Sequence, residues 1–216
     1  MSLTEKYRPQ TLDEIVAQPN VVKKVKLLHE RGGLAGRVFW CVGASSAGKT
    51  SLARIVADMI ADPICQFELD AQEYGLDAVR QFETNCQYKP FGKGCLCFVC
   101  NEAHRLSDRV VSRLQTVLEE PCVCKNSTWI FTTTNQGQES LFADKFDACP
   151  FLSRATILEF KDPRRSVLEW ALHLQKIAQA EQLDGKPIES YMRLFEKCGF
   201  NPRAAINRIE SGEMLT

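Results

Sequence analysis

Two rhythms of apolar residues divide the chain. Unbroken apolar runs at Phe39-Trp40-Cys41-Val42 and Leu96 to Cys100, and the β-rich run from Thr128, have the composition of strands buried in a sheet. Ile64 to Leu69 alternates enough to be a second strand, and Ala155 to Phe160 is a further one. Between them, apolar positions recur at helical spacing. Val21, Val22, Val25, Leu27 and Leu28 trace a helix that Gly32-Gly33 ends, Ser51 to Ala61 trace another, and Leu76, Val79 and Phe82 a third. From Arg105 to Glu120 the stripe is Val110, Leu114, Val117 and Leu118. Strands alternating with helices predict an α/β fold.

The two ends of the chain break this rhythm. Leu3 to Gln18 is polar and carries Tyr7-Arg8-Pro9; proline disfavours a helical residue before it, which predicts an extended arm that turns toward a helix only at Leu12, Ile15 and Val16. Beyond Lys161-Asp162-Pro163 the pattern is helical throughout. Val167, Trp170, Ala171, Leu174 and Ile177 trace one helix, Ile188 to Cys198 a second, and Asn201-Pro202 open a third, with asparagine as cap and proline at the first helical position. The expected organisation is an α/β nucleotide-binding domain over 1–161 and a three-helix lid over 162–216.

At the end of the first buried run stands Gly43-Ala44-Ser45-Ser46-Ala47-Gly48-Lys49-Thr50, followed by Ser51 and a helix. This is the G-x-x-x-x-G-K-T pattern in its strand, loop and helix setting. Consecutive backbone N–H groups of such a loop form an anion nest, and the helix N-terminus adds partial positive charge. Lys49 is expected to reach the β and γ phosphates and the Thr50 hydroxyl to ligate magnesium. A nucleoside triphosphate is the predicted ligand.

Composition narrows the partners. Among 216 residues, 27 basic and 27 acidic side chains cancel, so any nucleic-acid contact must come from a local patch. No apolar run approaches a membrane span and the N-terminus lacks a signal-peptide core, which predicts a cytosolic protein, or a nuclear one in a eukaryote. Of the ten cysteines, Cys95, Cys97 and Cys100 lie within a strand-like run, and Cys122-x-Cys124 has no partner at zinc spacing. Small buried thiols in a reducing compartment are expected.

Four further places carry candidate chemistry. The strand ending at Cys100 delivers Asn101-Glu102, where Glu102 is placed to polarise water and Asn101 to approach the metal with an amide oxygen in place of a carboxylate. Weak hydrolysis, with a gain on Asn101→Asp, is the expected result. Arg105, Arg109 and Arg113, read as i, i+4 and i+8 of one helix, form a row that suits the phosphates of a nucleic acid; a solvated helix face has the same spacing. Asn135, at the end of the strand from Thr128, is positioned for a γ-phosphate or attacking water. Arg154 is either a surface arginine or a clamp offered to a neighbouring subunit's phosphates.

With these motifs in place, the sequence resembles an AAA+ ATPase, and among these the small subunits of sliding-clamp loaders of the replication factor C type, from Thr4 to about Gly212. The resemblance is carried by the arm Glu5-Lys6-Tyr7-Arg8-Pro9 through Gln18, by Glu68-Leu69-Asp70-Ala71-Gln72-Glu73, by Phe151-Leu152-Ser153-Arg154-Ala155 and by Asn201-Pro202-Arg203-Ala204-Ala205. It implies a P-loop NTPase with a parallel-sheet AAA+ core. It further implies that Tyr7, Arg8, Pro9 and Val16 pack around adenine, that Asp70 restrains Glu102, that Asn135 is a first sensor and Arg203 a second, and that Arg154 is an arginine finger acting in trans. ATP or ADP with magnesium, other AAA+ subunits in a pentamer, a sliding clamp and primer–template DNA follow as expected partners. Asn101 stands where the family has an aspartate, Ala155 where it has a cysteine. Family members carry a helical collar domain after the lid, which these 216 residues do not reach.

Overall fold

The computed structural model describes residues 1–90, 92–134 and 154–215. Five strands, β1 (Val38–Val42), β2 (Gln66–Asp70), β3 (Leu96–Asn101), β4 (Ser127–Thr133) and β5 (Ala155–Glu159), form one parallel sheet in the order β2-β3-β4-β1-β5. The central strands are buried on both faces, whereas β2 and β5, apart from the buried Leu158, are partly buried or exposed as edge strands are. A chain of aromatic rings stiffens the sheet, with Phe98 lying 4.4 Å from Trp129 and 4.5 Å from Phe82 between centroids.

Helices α1 (Leu3–Lys6), α2 (Pro19–Glu30), α3 (Lys49–Ile60), α4 (Leu76–Cys86), α5 (Asp108–Val117) and α6 (Pro121–Asn126) precede β5 or its neighbours in the chain. After β5 come α7 (Val167–Ala180), α8 (Ile188–Lys197) and α9 (Pro202–Glu210). Asn201 caps α9, its Oδ1 accepting from the backbone N–H of Arg203 at 3.0 Å and of Ala204 at 3.3 Å. Buried apolar side chains fall into two clusters, one around the sheet and one centred on Trp170, Leu174, Tyr191, Phe195 and Ile206. None of the helices among the described residues is long and apolar enough to cross a membrane.

Several sequence expectations are corrected. The arm does not begin extended: α1 forms before Pro9, and Leu3 buries itself in the cluster of α7 to α9 rather than in that of the sheet. Thr4 donates to Asn207 at 2.8 Å, Lys6 pairs with Glu181 at 2.6 Å, and the Tyr7 hydroxyl also donates to Glu181. Restriction by Pro9 reaches only the residue before it, so α1 can finish at Lys6. The second strand begins at Gln66, because Pro63 opens a short 3-10 turn and leaves Ile64 exposed. Cys95, Cys97 and Cys100 are buried as expected, but Cys124 on α6 is exposed. Burial pushes the Cys41 thiol up to about 12 and raises those of Cys97 and Cys100 as well, so these thiols are inert.

Candidate nucleotide-binding site

The sheet order brings the C-terminal ends of β3, β4 and β1 side by side, with Cys100 paired to Phe131 and Val42 to Thr133. Ligand-binding crevices of parallel sheets lie at that edge. Gly43 leaves β1 so close to the end of the neighbouring β5 that a Cβ on it would stand 2.6 Å from Phe160 Cβ. Gly48 takes the left-handed conformation, φ 97°, that starts α3. The loop therefore turns where glycine alone fits, and α3 begins with Lys49 and Thr50.

Lys49 Nζ donates to the carbonyls of Gly43 at 2.9 Å and Ala44 at 2.6 Å, which folds the side chain over its own loop. Burial lowers its pKa to about 8, with Arg203 pushing the same way and Cys41 and Glu102 opposing. The ammonium is thus under-compensated, a condition that an incoming phosphate relieves.

Beside it, Asn101 Oδ1 accepts from the Thr50 and Thr132 hydroxyls, each at 3.2 Å, and Asn101 Nδ2 donates to Glu68 Oε1 at 2.8 Å. Arg54 grips Glu68 with two bonds, 2.7 and 3.0 Å. Among the described residues no cluster of three His, Cys, Asp or Glu could hold a metal alone. The oxygens of Thr50 and Asn101 suit magnesium carried in on phosphates, since that ion takes few protein ligands and keeps its waters.

Glu102 has φ 52° and ψ 41°, a left-handed conformation uncommon outside glycine, and pairs with Arg105 at 3.0 Å. The row of arginines is not a row. Arg105 ends a 3-10 turn, Leu106 is extended and buried, and α5 starts only at Asp108 after Ser107. Arg113 pairs with Glu83 across to α4, which leaves Arg109 as the exposed member without an ion pair among the described residues. Arg154 pairs with Glu119 at 2.5 Å, both half exposed. Asn135 and Ser153 lie outside the described residues.

Two adjoining cavities share Arg8, Ser46, Lys49, Thr50 and Arg203. The larger, about 590 Å³, is polar, and Ser45, Asn101, Glu102, Asp70 and Thr132 to Thr134 also line it. The smaller, about 110 Å³, lies between arm, loop and lid, with Tyr7, Pro9 and Val16 on one wall and Ala47, Gly48 and Ser51 on another. Its remaining wall is Ile15, Trp170, His173, Pro202 and Ile206. Of these, Trp170 and Ile206 read in the sequence only as helix core, and His173 gave no signal. Gly43 and Ala44 line neither cavity and contribute the carbonyls that hold Lys49. Gln18 gives no signal of its own either: buried, it bonds the Lys161 backbone through both ends of its amide, at 2.8 and 3.0 Å, and so ties the arm to the stretch between β5 and α7.

No family model matches the chain. It is 28% identical over 159 residues to DNA polymerase III subunit gamma/tau of Mycobacterium tuberculosis, covering 62% of this chain and 27% of that protein. It is 27% identical over 218 residues to the replication factor C small subunit of Methanothermobacter thermautotrophicus, covering 98% of this chain and 63% of that one. It thus spans less than two thirds of either relative. A variant of Thermotoga maritima RuvB has the same fold, with a TM-score of 0.68 and 21% identity over 94% of this chain and 64% of that one. Loop, sheet order, lid and sequence relatives together make the chain an AAA+ ATPase superfamily protein, related at low identity to replication factor C small subunits.

Proposed function

We propose that the chain is an ATP-binding subunit of a clamp-loader-like assembly that uses bound nucleotide to grip primer–template DNA and a sliding clamp. The observation that carries this reading is the convergence of three separate segments on one site. The loop Gly43 to Ser51, the arm residues Tyr7 to Pro9 and Arg203 from α9 border the two joined cavities or hold the lysine between them. A polar compartment beside a smaller, more apolar one fits a triphosphate attached to a base.

On this reading residues 1–161 hold the nucleotide and 162–216 close over it. The loop amides and Lys49 bind phosphates, Thr50 and Asn101 meet magnesium, and Arg203 reaches the phosphates from the lid. Magnesium supplies charge neutralisation to the terminal phosphates when bound. Glu102 orients and polarises water once Arg105 releases it. Asn135 serves as the first sensor. Arg154, exchanging Glu119 for a neighbour's phosphate, is the trans-acting finger of a pentamer, the kind of contact that contributes several powers of ten in rate.

The test is DNA binding by the complete assembly with and without a non-hydrolysable ATP analogue, across a salt series. Binding is expected to tighten with the analogue and to weaken as salt rises. No nucleotide-dependent gain would sink the reading. One observation favours a second: two of the three candidate DNA arginines are already paired with Glu102 and Glu83. A module that remodels a protein partner would show salt-insensitive capture of that partner and no DNA affinity. Asn101 would also suit a non-hydrolysing structural subunit, which would bind ATP in the assembly without turnover.

A further inference from the structure

Residue 101 lacks the carboxylate that the resemblance expects there, and the fold places one against it. The Asn101 amide is oriented by its partners: its oxygen faces two hydroxyls, Thr50 and Thr132, and its nitrogen faces the Glu68 carboxylate. Glu68 comes from the edge strand β2, which pairs with β3 so that Asp70 lies opposite Asn101. Its two oxygens are held by Arg54, which rises from α3 one turn after Thr50. Thr50, Arg54, Glu68 and Asn101 all line the larger cavity. The negative charge at this corner is therefore displaced by one strand and stands one carboxamide away from the Thr50 hydroxyl.

We propose that Glu68 is the positioning carboxylate on the magnesium side of the site, offering the metal's water shell the negative charge that the Asn101 amide lacks; this rests on the ATP reading above. Magnesium retains several of its waters, so a carboxylate can serve it without direct ligation. Arg54 fixes the rotamer, as partners of a metal site's outer shell do. The other carboxylates of the cavity are differently engaged. Glu102 pairs with Arg105, Glu73 accepts from the Asp70 backbone N–H at 3.2 Å, and it is Glu68, not Asp70, that takes the Asn101 amide.

The proposal reverses the expectation for Asn101→Asp. That substitution would set two carboxylates at hydrogen-bond distance, which disfavours ionising both. It becomes compatible with the site only when Glu68 is neutral.

The experiment is calorimetric titration of these 216 residues with ATP, in magnesium and in chelator, for the parent, Glu68→Gln, Asp70→Asn, Asn101→Asp and the Glu68→Gln/Asn101→Asp double variant, with melting temperatures recorded alongside. Magnesium should strengthen ATP binding by the parent. Glu68→Gln should cut that gain by about tenfold or more, with affinity in chelator retained. Asn101→Asp alone should also lose gain, and the double variant should recover it. An unchanged magnesium gain in a Glu68→Gln variant that merely melts earlier would overturn the proposal, leaving Glu68 as an anchor for Arg54. So would a larger gain for Asn101→Asp alone, or loss of the gain in Asp70→Asn instead of Glu68→Gln. A parent that binds no ATP in either buffer would overturn the nucleotide reading as well, and is recognised without any variant.

Discussion

At the end of the site assigned to phosphate, nine contiguous residues from Gly43 to Ser51 build the loop and the start of α3, and the working groups are backbone N–H, one ammonium and the hydroxyls of Ser45, Ser46, Thr50 and Ser51. At the end assigned to the base, the wall comes from Tyr7 and Ile15 near one terminus and from Trp170, His173 and Ile206 near the other. The first end is local in sequence and under electrostatic load. The second exists only when the arm and the lid pack together, so its integrity depends on tertiary contacts. Substitutions at the two ends should therefore fail in different ways.

The largest effect is expected at Lys49. Lys49→Met should lower ATP affinity by about a hundredfold, the scale of hydrogen bonds to a charged group, and should affect ADP less. The fold should respond in the opposite sense. A lysine whose folded pKa lies near 8 rather than its ordinary 10.5 disfavours the native state at neutral pH. The variant should therefore melt a few degrees higher at pH 7 without nucleotide. In the parent, ATP affinity should hold up to about pH 8 and fall above it, because the free ammonium is lost there while the phosphate-bound one persists. Calorimetry across pH 7 to 10 on the order of half-unit steps checks the sign; a flat profile would show that Lys49 does not meet the phosphates.

A smaller and less selective effect is expected at Tyr7. Tyr7→Phe keeps the ring in the small cavity but removes the hydroxyl that Glu181 accepts. About 1 kcal/mol of stability should be lost, and ATP and ADP should weaken equally, by a few-fold. Selective loss of ATP alone would mean that the two ends of the site are not separable in this way.

The smallest effect concerns His173. Burial, reinforced by the Lys176 charge, holds its pKa below the ordinary 6.5. A group protonated more readily in the unfolded chain costs stability as pH falls, beginning near 6.5 and continuing to its lowered native value. His173→Asn should make the decline in melting temperature between about pH 6.5 and 5 shallower. An unchanged slope would remove His173 from the acid response of the lid.

The same division governs what could be read from the sequence. Gly43, Gly48, Lys49 and Thr50 were legible because their geometry is set by adjacent residues, and so was the start of α9 at Asn201-Pro202. The arginine row was misread because helical spacing was extended across Leu106; a turn buries Leu106 as an anchor, and the helix begins afresh behind Ser107. The contact between Glu68 and Asn101 depends on the register of two strands separated by α4, and nothing near either residue announces it. Tyr7 and Arg8 are assigned to the base side through resemblance alone, while α1 is not legible because the four helical residues before Tyr7 owe their order to Leu3 docking against α7 to α9.

The bond from Thr4 to Asn207 has a consequence for how the chain is made. The arm leaves a ribosome ahead of the sheet, and the surface that secures it, α7 to α9, follows behind the sheet. The five described strands have been synthesised by Glu159, so their sheet can assemble while Leu3 still lacks its apolar neighbours, domains forming in order of their synthesis. The wall between arm and lid is completed only once α9 has emerged, and a nascent chain can own a phosphate loop well before it owns a pocket for the base.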